Sequence, residues 1–247
     1  MRTRDRGLSG STLKLIAIVT MLIDHIAATI LMRMLMLHTT AGGEANLYEI
    51  YSLMRSVGRI SFPIFCFLLV EGFIHTSNRV RYAMRLGAFA LISEIPFDLA
   101  FSGQLLEFSY QNIFFTLFLG LLTMMAFNQI ERQESIPVAI KTLLFVIAIF
   151  AGMGMAELLM TDYGAKGVMC IMALYLFRGN RKIQVLAGCL SFFWWELPAV
   201  IAFLPIYFYN GKRGWNLKYF FYAFYPVHLL ILYGVCCALN IAGISAV

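Results

Sequence analysis

The chain has 247 residues, of which 61% are hydrophobic, 15% aromatic and only 13% charged, against roughly 25% charged residues in soluble domains. Several stretches of about 20 residues carry almost no charge, which is typical of transmembrane helices. The net charge of +6 does not indicate a nucleic-acid partner, because the basic residues are scattered and form no single soluble patch. The composition leaves no room for a sizeable soluble domain and predicts a polytopic membrane protein.

The hydrophobic pattern predicts about nine spans, with eight to ten as the range. They cover residues 13–37, 57–74, 83–101, 112–130, 142–158, 164–177, 183–196, 198–209 and 219–240. The three between 164 and 209 fall below the ~17 residues usually needed to cross a bilayer, which leaves tilted, broken or re-entrant helices open. The connection 38–56 is the longest predicted external loop and a candidate for a short interfacial helix. We predict an all-α bundle that forms one transmembrane domain over residues 1–247.

The distribution of basic residues predicts the orientation of this bundle. Of the 19 Lys and Arg residues, 15 fall in clusters at every second predicted loop. By the positive-inside rule, those loops and the N-terminus face the cytoplasm. The clusters cover residues 2–14, 79–85, 132–141, 178–182 and 212–218.

Ionisable residues lie inside the predicted spans, where each costs roughly 2.5–3.5 kcal/mol on insertion scales and indicates a functional site by default. This many of them predict a polar cavity within the bundle. Buried ion pairs that hold helices together are the alternative for any single residue. The residues within spans are Asp24, His25, Arg59, Glu71, Glu94, Asp98 and His228, and those near span ends are Asp162, Lys166 and Glu196.

Lys14 and His25 lie eleven residues apart in the first span. Eleven residues at about 100° each return to within roughly 20° of the starting face and rise roughly 16 Å. A lysine at the cytoplasmic interface then lies below a histidine near mid-bilayer, and this histidine suits a general base. The geometry fits an acyl-CoA, whose phosphates and thioester lie at opposite ends of an extended arm. A lysine at a span end is, however, more often a simple positive-inside anchor.

The side chain of Asp24 points in a different direction from that of His25, because adjacent residues on a helix lie about 100° apart around its axis. We therefore expect Asp24 to meet a neighbouring helix, with Arg59 as a candidate partner. The carboxylate that orients His25 is then expected to come from Asp24 or from elsewhere in the bundle.

Glu94 and Asp98 are four residues apart and share one helix face, with Pro96 between them. Pro-kinked helices at membrane depth often line sites, because neighbouring groups must satisfy the released backbone carbonyl. Two carboxylates this close favour protonation of one of them. The pair suits a catalytic site and also a proton-coupled transporter.

Other candidates are weaker. Gln111 and Asn112 are neutral hydrogen-bonding residues at the start of a span, and His228 lies in the last span beside Pro226. Asp162 lies at a predicted external turn, where a solvated carboxylate is the simpler interpretation. No metal site is predicted, because the five cysteines lie in apolar runs without metal-ligand spacing.

Six segments between about Lys14 and Leu232 carry a family resemblance. They read LKLIAIVTMLIDHIA, GRISFPIFCFLLVEGFIHT, RLGAFALISEIPFDLAF, QNIFFTLFLGL, DYGAKGV and FYAFYPVHLLIL, and they resemble the TraX family. That family takes its name from a conjugation protein associated with N-terminal acetylation of the pilin subunit. It is distantly similar to the integral membrane acyltransferases, which share a basic residue, ten intervening residues and a histidine in the first span. Lys14 and His25 match that spacing.

The resemblance implies acetyl-CoA as the donor, bound from the cytoplasm with Lys14 as a contact and His25 as the catalyst. It implies transfer to an amine or hydroxyl of a pilin-like peptide, a glycan or a lipid, in the bacterial inner membrane. In the resulting hypothesis, cytoplasmic arginines assist Lys14 on the CoA phosphates, a carboxylate orients His25, and polar groups stabilise the oxyanion. The assisting arginines are Arg79, Arg81 and Arg85; the carboxylates are Asp24, Glu94 and Asp98; the oxyanion donors are Gln111, Asn112 and Arg59.

Two other functions remain open at this point. A secondary transporter would use Glu71, Glu94, Asp98 and His228 as a proton relay, although the chain shows no internal repeat of the kind that transporters commonly have. A non-catalytic assembly factor for a surface structure would need neither Asp24 nor His25 for chemistry.

Overall fold

The computed structural model describes residues 7–38, 44–215 and 218–245, and these segments are helical without any extended strand. The all-α prediction is confirmed. The α-helices are α1 Gly10–Ile26, α2 Met32–His38, α3 Glu44–Gly58, α4 Ser61–His75, α5 Arg79–Phe101, α6 Ile113–Glu131, α7 Val138–Leu158, α8 Gly164–Leu176, α9 Arg181–Phe193, α10 Phe203–Tyr207 and α11 Lys218–Ala238. A π-helical turn, Ala27–Leu31, joins α1 to α2, and a 3-10 helix, Leu197–Ala202, precedes α10.

Five helical stretches in the described residues are long and apolar enough to cross a membrane. They are Gly10–Leu37, Ala45–His75, Ile113–Glu131, Val138–Leu158 and Phe220–Ala238. α7 buries almost none of its apolar side chains against the protein, as expected for a helix that faces lipid. The protein is therefore a helical membrane protein. The count of about nine spans and the cytoplasmic N-terminus stay predictions.

The predicted span boundaries agree with most helices to within a few residues. Most of α3 falls in the segment 38–56, so a helix in this connection is confirmed, but it belongs to the candidate span Ala45–His75 and its interfacial position stays a prediction. Residues 39–43 lie outside the described segments. The predicted short spans correspond to α8, α9 and the 3-10 helix with α10. Among the predicted cytoplasmic residues, Arg2, Arg4 and Arg6 also lie outside the described segments.

The described chain divides into two compact units. The first comprises residues 1–65, 92–107 and 195–247, and the second comprises residues 66–91 and 108–194. In the second unit α8 is the central element, since its side chains from Val168 to Tyr175 include many that are almost completely buried. A helix surrounded in this way is held by its neighbours, which explains how so short an apolar segment stays helical. The single-domain assignment stays a prediction.

In the first unit, α1 begins at a capped terminus and ends in an irregular turn. The Ser9 hydroxyl accepts a hydrogen bond from the Thr12 amide, which satisfies one of the donors that the first turn of a helix leaves unpaired. At the other end, the π-helical turn begins two residues after His25, and the Thr29 hydroxyl donates to the His25 carbonyl at 2.6 Å. Such π-turns are frequent at functional sites.

α3 packs closely against α1 at Gly58. A Cβ atom at this position would overlap the Cβ and carboxylate atoms of Asp24, so the two backbones approach more closely than any other residue would allow. The contact positions the end of α3, and with it the arginines described below, directly beside Asp24.

Gly58→Ala is therefore expected to lower the stability of the protein by about 1–3 kcal/mol, the usual range for overpacking a tight contact. The measurement is the thermal denaturation midpoint in detergent. Gly154→Ala in α7 is the matched control, because no atom lies within 4 Å of a Cβ there and alanine favours a helix over glycine. Equal midpoints for the two variants would contradict the close packing of α3 on α1.

Candidate active site

The first unit contains a pair of histidines from α1 and α11. Nδ1 of His25 lies 2.7 Å from Nε2 of His228, and the two rings are nearly parallel, with centroids 5.0 Å apart. His228 is buried. The residues are 203 positions apart in the chain, so only the tertiary fold brings them together.

The hydrogen bonds of this pair determine which nitrogens carry protons. Nδ1 of His228 lies 2.7 Å from the Phe224 carbonyl oxygen, and because a carbonyl only accepts, this nitrogen is the donor. Nε2 of a neutral His228 must then accept, so Nδ1 of His25 donates to it. Nε2 of a neutral His25 is left with its lone pair, and it has no hydrogen-bond partner among the described residues. The arrangement prepares His25 to accept a proton.

Aromatic rings surround the two imidazoles. Phe101, at the end of α5, and Tyr225, on α11, contact the ring of His25 edge-on, with centroid distances of 5.5 and 6.0 Å. Phe224 stacks on His228 at 4.8 Å. These rings restrict the orientation of both imidazoles and keep their surroundings apolar, where a fixed hydrogen bond is stronger than it is in water.

Lys14 lies on the same side of α1 as His25. Its Nζ lies 5.3 Å from the ring centroid of Phe221 on α11, and His25 contacts His228 on the same helix. The expectation that Lys14 and His25 share one face is thus confirmed. The two successive contacts also show that α1 and α11 run in the same direction.

The start of α1 lies against the segment 208–215. The amides of Gly10 and Ser11 donate to the carbonyls of Lys212 and Arg213, at 2.8 and 3.0 Å. These bonds bring two further basic residues to the end of α1 at which Lys14 lies. The sequence placed Lys212 and Arg213 in a cytoplasmic cluster but gave no reason to connect them with Lys14.

Asp24 belongs to an ion network that lies beside the histidine pair. One carboxylate oxygen is 2.7 Å from Arg55 and the other is 3.7 Å from Arg59, which also lies 3.2 Å from Glu196. The expected pairing of Asp24 with Arg59 is confirmed. The Asp24 side chain also points toward a neighbouring helix, as expected, and not toward the partner of His25. The ring nitrogen of His25 that we expected a carboxylate to orient is instead bonded to His228.

The two carboxylates of α5 lie in the first unit. Asp98 is 1% exposed, and its Oδ2 accepts a hydrogen bond from the Glu107 amide at 2.9 Å. Glu94 lies one turn earlier and is half-buried. Neither carboxylate contacts His25 through a hydrogen bond, so a catalytic role for either stays a prediction.

Other predicted site residues lie in the second unit, where each has a local partner. Glu71 lies 3.7 Å from Arg181. The guanidinium of Arg79 stacks 4.6 Å from the ring centroid of Phe73 and donates to Asn128. Two further arginines have weaker contacts: the Arg81 amide donates to Asn78 and Arg85 lies 5.9 Å from the Tyr82 ring. A CoA-binding role for Arg79, Arg81 and Arg85 stays a prediction.

The polar residues near the start of α6 cap that helix and join it to its neighbours. The Asn112 side chain accepts from the Phe114 amide and donates to the Ala90 carbonyl at 2.8 Å. The Gln111 side chain donates to Phe108. Asp162 accepts from the Tyr110 hydroxyl at 2.6 Å, and its carbonyl accepts from Thr116. Structural contacts thus account for these side chains, and their predicted place in the site is untested.

Sequence reasoning missed two basic residues of the first unit. Arg33 and Arg55 lie outside the five basic clusters and were not candidates for the site, yet Arg33 is completely buried and Arg55 binds Asp24. The spacing His25, Thr29, Arg33 was the available signal, because residues four apart lie on one helix face. In the part of the chain that the structure describes, no group of three or more His, Cys, Asp or Glu side chains is placed to hold a metal ion.

Comparisons with known proteins agree with the resemblance noted above. A family model described as TraX protein matches residues 9–236. The chain is also 32% identical to the probable fimbrial assembly protein FimC, serogroup H1, of Dichelobacter nodosus, over 93% of this chain and 96% of that protein. No solved structure matches the chain.

Proposed function

Because this chain belongs to the TraX family, we propose that it is an integral membrane acetyltransferase that uses cytosolic acetyl-CoA. The observation that carries the proposal is the bond from His25 to His228, which leaves Nε2 of His25 as a proton acceptor. A base held in one tautomer within an apolar aromatic environment fits general base catalysis.

The proposed step balances with His25 as both base and acid. The acceptor, an amine or a hydroxyl, attacks the thioester carbonyl while its proton passes to Nε2 of His25. The bond to the acceptor forms, the carbon–sulfur bond breaks, and the CoA thiolate leaves and takes the proton back from His25. His228 accepts the hydrogen bond from Nδ1 and so stabilises the imidazolium. No acyl-enzyme is required, and direct transfer is the simpler scheme.

The donor is proposed to extend alongside α1 and α11, from Lys14 to His25. Lys14 would contact the CoA phosphates with charge-assisted hydrogen bonds, while a contact from Arg79, Arg81 or Arg85 stays a prediction. The roughly 16 Å rise between Lys14 and His25 then matches an extended pantetheine arm that ends at the thioester. Lys212 and Arg213 add positive charge at the same end of α1. This assignment places the protein in the bacterial inner membrane, with the start of α1 on the cytoplasmic side.

The relative named as a fimbrial assembly protein favours a pilin-like peptide as the acceptor over a glycan or a lipid. Its name also keeps a purely structural role in assembly as an alternative. A proton-coupled transporter, with Glu71, Glu94, Asp98 and His228 as the predicted relay, is the other alternative. The three functions differ in whether the protein binds and consumes acetyl-CoA.

The first test is the binding of labelled acetyl-CoA to the purified protein, with Lys14→Ala as the variant. Losing one charge-assisted contact is expected to raise the Kd by about tenfold or more. Lys141→Ala, which removes a lysine on α7 that reaches only the Glu131 carbonyl, is the matched control and is expected to bind as the wild type does. A wild-type protein that binds no acetyl-CoA would contradict the proposed function, and proton-coupled flux in liposomes without CoA would favour the transporter.

A further inference from the structure

Asp98 is a buried carboxylate whose hydrogen bonds are incomplete. Its side chain is 1% exposed, Oδ2 accepts from the Glu107 amide, and Oδ1 has no hydrogen-bond partner in the described segments. Asp98 also forms no ion pair with any residue that the structure describes. A buried carboxylate of this kind is unfavourable unless a proton or a cationic ligand compensates it.

The position of Asp98 links it to the histidine pair. Asp98 and Phe101 are three residues apart on α5 and are neighbours on its surface, and the Phe101 ring contacts the His25 imidazole edge-on. Phe101 therefore contacts the base and lies one helical turn from the incomplete carboxylate. The carboxylate also lies at the end of α5 where the chain turns, since the amides of Ser102 and Gly103 donate to the Asp98 carbonyl.

The loop that follows this turn offers apolar contacts. Leu105 and Leu106 are largely exposed, and the loop returns to α5 through the bond from the Glu107 amide to Asp98. A ligand that approaches Asp98 from this loop would meet apolar side chains first and a negative charge at the end. That order suits a peptide that presents a terminal ammonium group.

We propose that Asp98 binds the protonated amine of the acceptor and so selects amines over hydroxyls. This inference rests on the proposed acetyl transfer and assigns to a residue of this chain the recognition that the transfer requires. An ammonium group donates to Oδ1 and neutralises the buried charge. A hydroxyl acceptor donates one hydrogen bond but leaves the charge in place, so it binds more weakly.

The ammonium group of the acceptor loses two protons during the transfer, one to Asp98 and one to His25. The bound ammonium passes one proton to the Asp98 carboxylate and becomes a neutral amine, an exchange that converts a buried ion pair into two neutral groups. The amine attacks the thioester and loses its second proton to Nε2 of His25, as the carbon–nitrogen bond forms and the carbon–sulfur bond breaks. The CoA thiolate takes the proton from His25, and Asp98 releases its proton to solvent when the amide product leaves.

The test compares two probe peptides that differ only in their terminal group, an amine or a hydroxyl. One peptide amide begins with alanine, and the other begins with lactic acid, which replaces the terminal amine by a hydroxyl. Binding of each to the purified full chain is measured by calorimetry without acetyl-CoA, and KM and kcat are then measured with acetyl-CoA. The variants are Asp98→Asn, which keeps an acceptor for the Glu107 amide, and Asp98→Glu, which keeps the charge. Ser93→Ala is the matched control, because Ser93 is buried on the same helix.

The wild type is expected to bind the amine peptide more tightly, by about tenfold to a hundredfold, and Asp98→Asn is expected to abolish this preference through KM. Asp98→Glu should restore part of it, and Ser93→Ala should keep it. Equal binding of the two peptides by the wild type overturns the proposal, and so does a preference that survives in Asp98→Asn. If Asp98→Asn fails to fold, the relative binding of the two peptides by the wild type and by Asp98→Glu tests the proposal. Because calorimetry needs no turnover, an amine preference without acetyl transfer would contradict the proposed function and leave the binding role of Asp98 standing.

Discussion

His25→Ala is expected to lower the rate of acetyl transfer by about 10²–10⁴-fold, the range that a positioned general base contributes. The Kd for acetyl-CoA is expected to change by no more than about twofold, since the interaction that is lost belongs to the transition state. The measurement is single-turnover transfer of a labelled acetyl group by purified protein. His75→Ala is the control, because His75 is exposed and contacts only the Glu71 carbonyl.

Variants of His228 test whether His25 acts alone or depends on its hydrogen bond to His228. His228→Ala removes the acceptor for Nδ1 of His25, and the rate is expected to fall by about tenfold to a hundredfold, the range found when the partner that orients a metal-bound histidine is removed. His228→Gln should recover part of this loss, because the glutamine carbonyl oxygen can accept the same hydrogen bond. A fully active His25→Ala protein would falsify the proposed mechanism. Equal losses in the two His228 variants would leave His25 as the base but remove the role of the histidine–histidine bond.

The sequence predicted the elements of the fold better than it predicted which elements meet. Hydrophobic runs and their charged ends are local properties of the chain, so the positions of the helices follow from them. The shared face of Lys14 and His25 is also local, because it follows from helix periodicity within one span. The partner of His25 is not local. His228 was a candidate by its chemistry, but nothing in the spacing predicts a contact across 203 positions.

The charge pattern was least informative at Arg33 and Arg55. A basic residue near a predicted span end is assigned to the loop, because most such residues are solvated anchors. α3 occupies much of the segment that was predicted as loop, and the close approach at Gly58 brings Arg55 to Asp24. Buried positions for charged residues depend on partners from other helices, and hydropathy does not contain that information.

Arg33 shows how such a charge is accommodated. Its side chain is 0% exposed, and no described carboxylate pairs with it. Its guanidinium donates instead to backbone carbonyls of Thr29, Ala100, Phe101 and Ile244, at 2.6–3.1 Å. Two of these carbonyls end α5, where the helix leaves acceptors unpaired and carries partial negative charge. Arg33, which lies on α2, thus joins the π-helical turn to the end of α5 and to the C-terminal segment.

Arg33→Ala is therefore expected to destabilise the protein by about 3–5 kcal/mol, since four backbone carbonyls lose this donor and a buried carbonyl left unsatisfied costs about 1–3 kcal/mol. The measurement is the thermal denaturation midpoint in detergent. Arg132→Ala is the control, because Arg132 is exposed and its removal should leave the midpoint unchanged. Arg33→Lys should fall between the two, because an ammonium keeps the charge but lacks the planar fork that reaches several carbonyls at once.

Arg33→Lys also tests whether Arg33 contributes to the rate of acetyl transfer as well as to the stability of the fold. Arg33 holds the carbonyl of Phe101, and the Phe101 ring contacts His25. The folded fraction of an Arg33→Lys protein should therefore transfer acetyl groups more slowly than the wild type does. Its Kd for acetyl-CoA should be unchanged. If Arg33→Ala denatures at the same temperature as Arg132→Ala, the guanidinium does not connect these segments, and the position of Phe101 against His25 depends on other contacts.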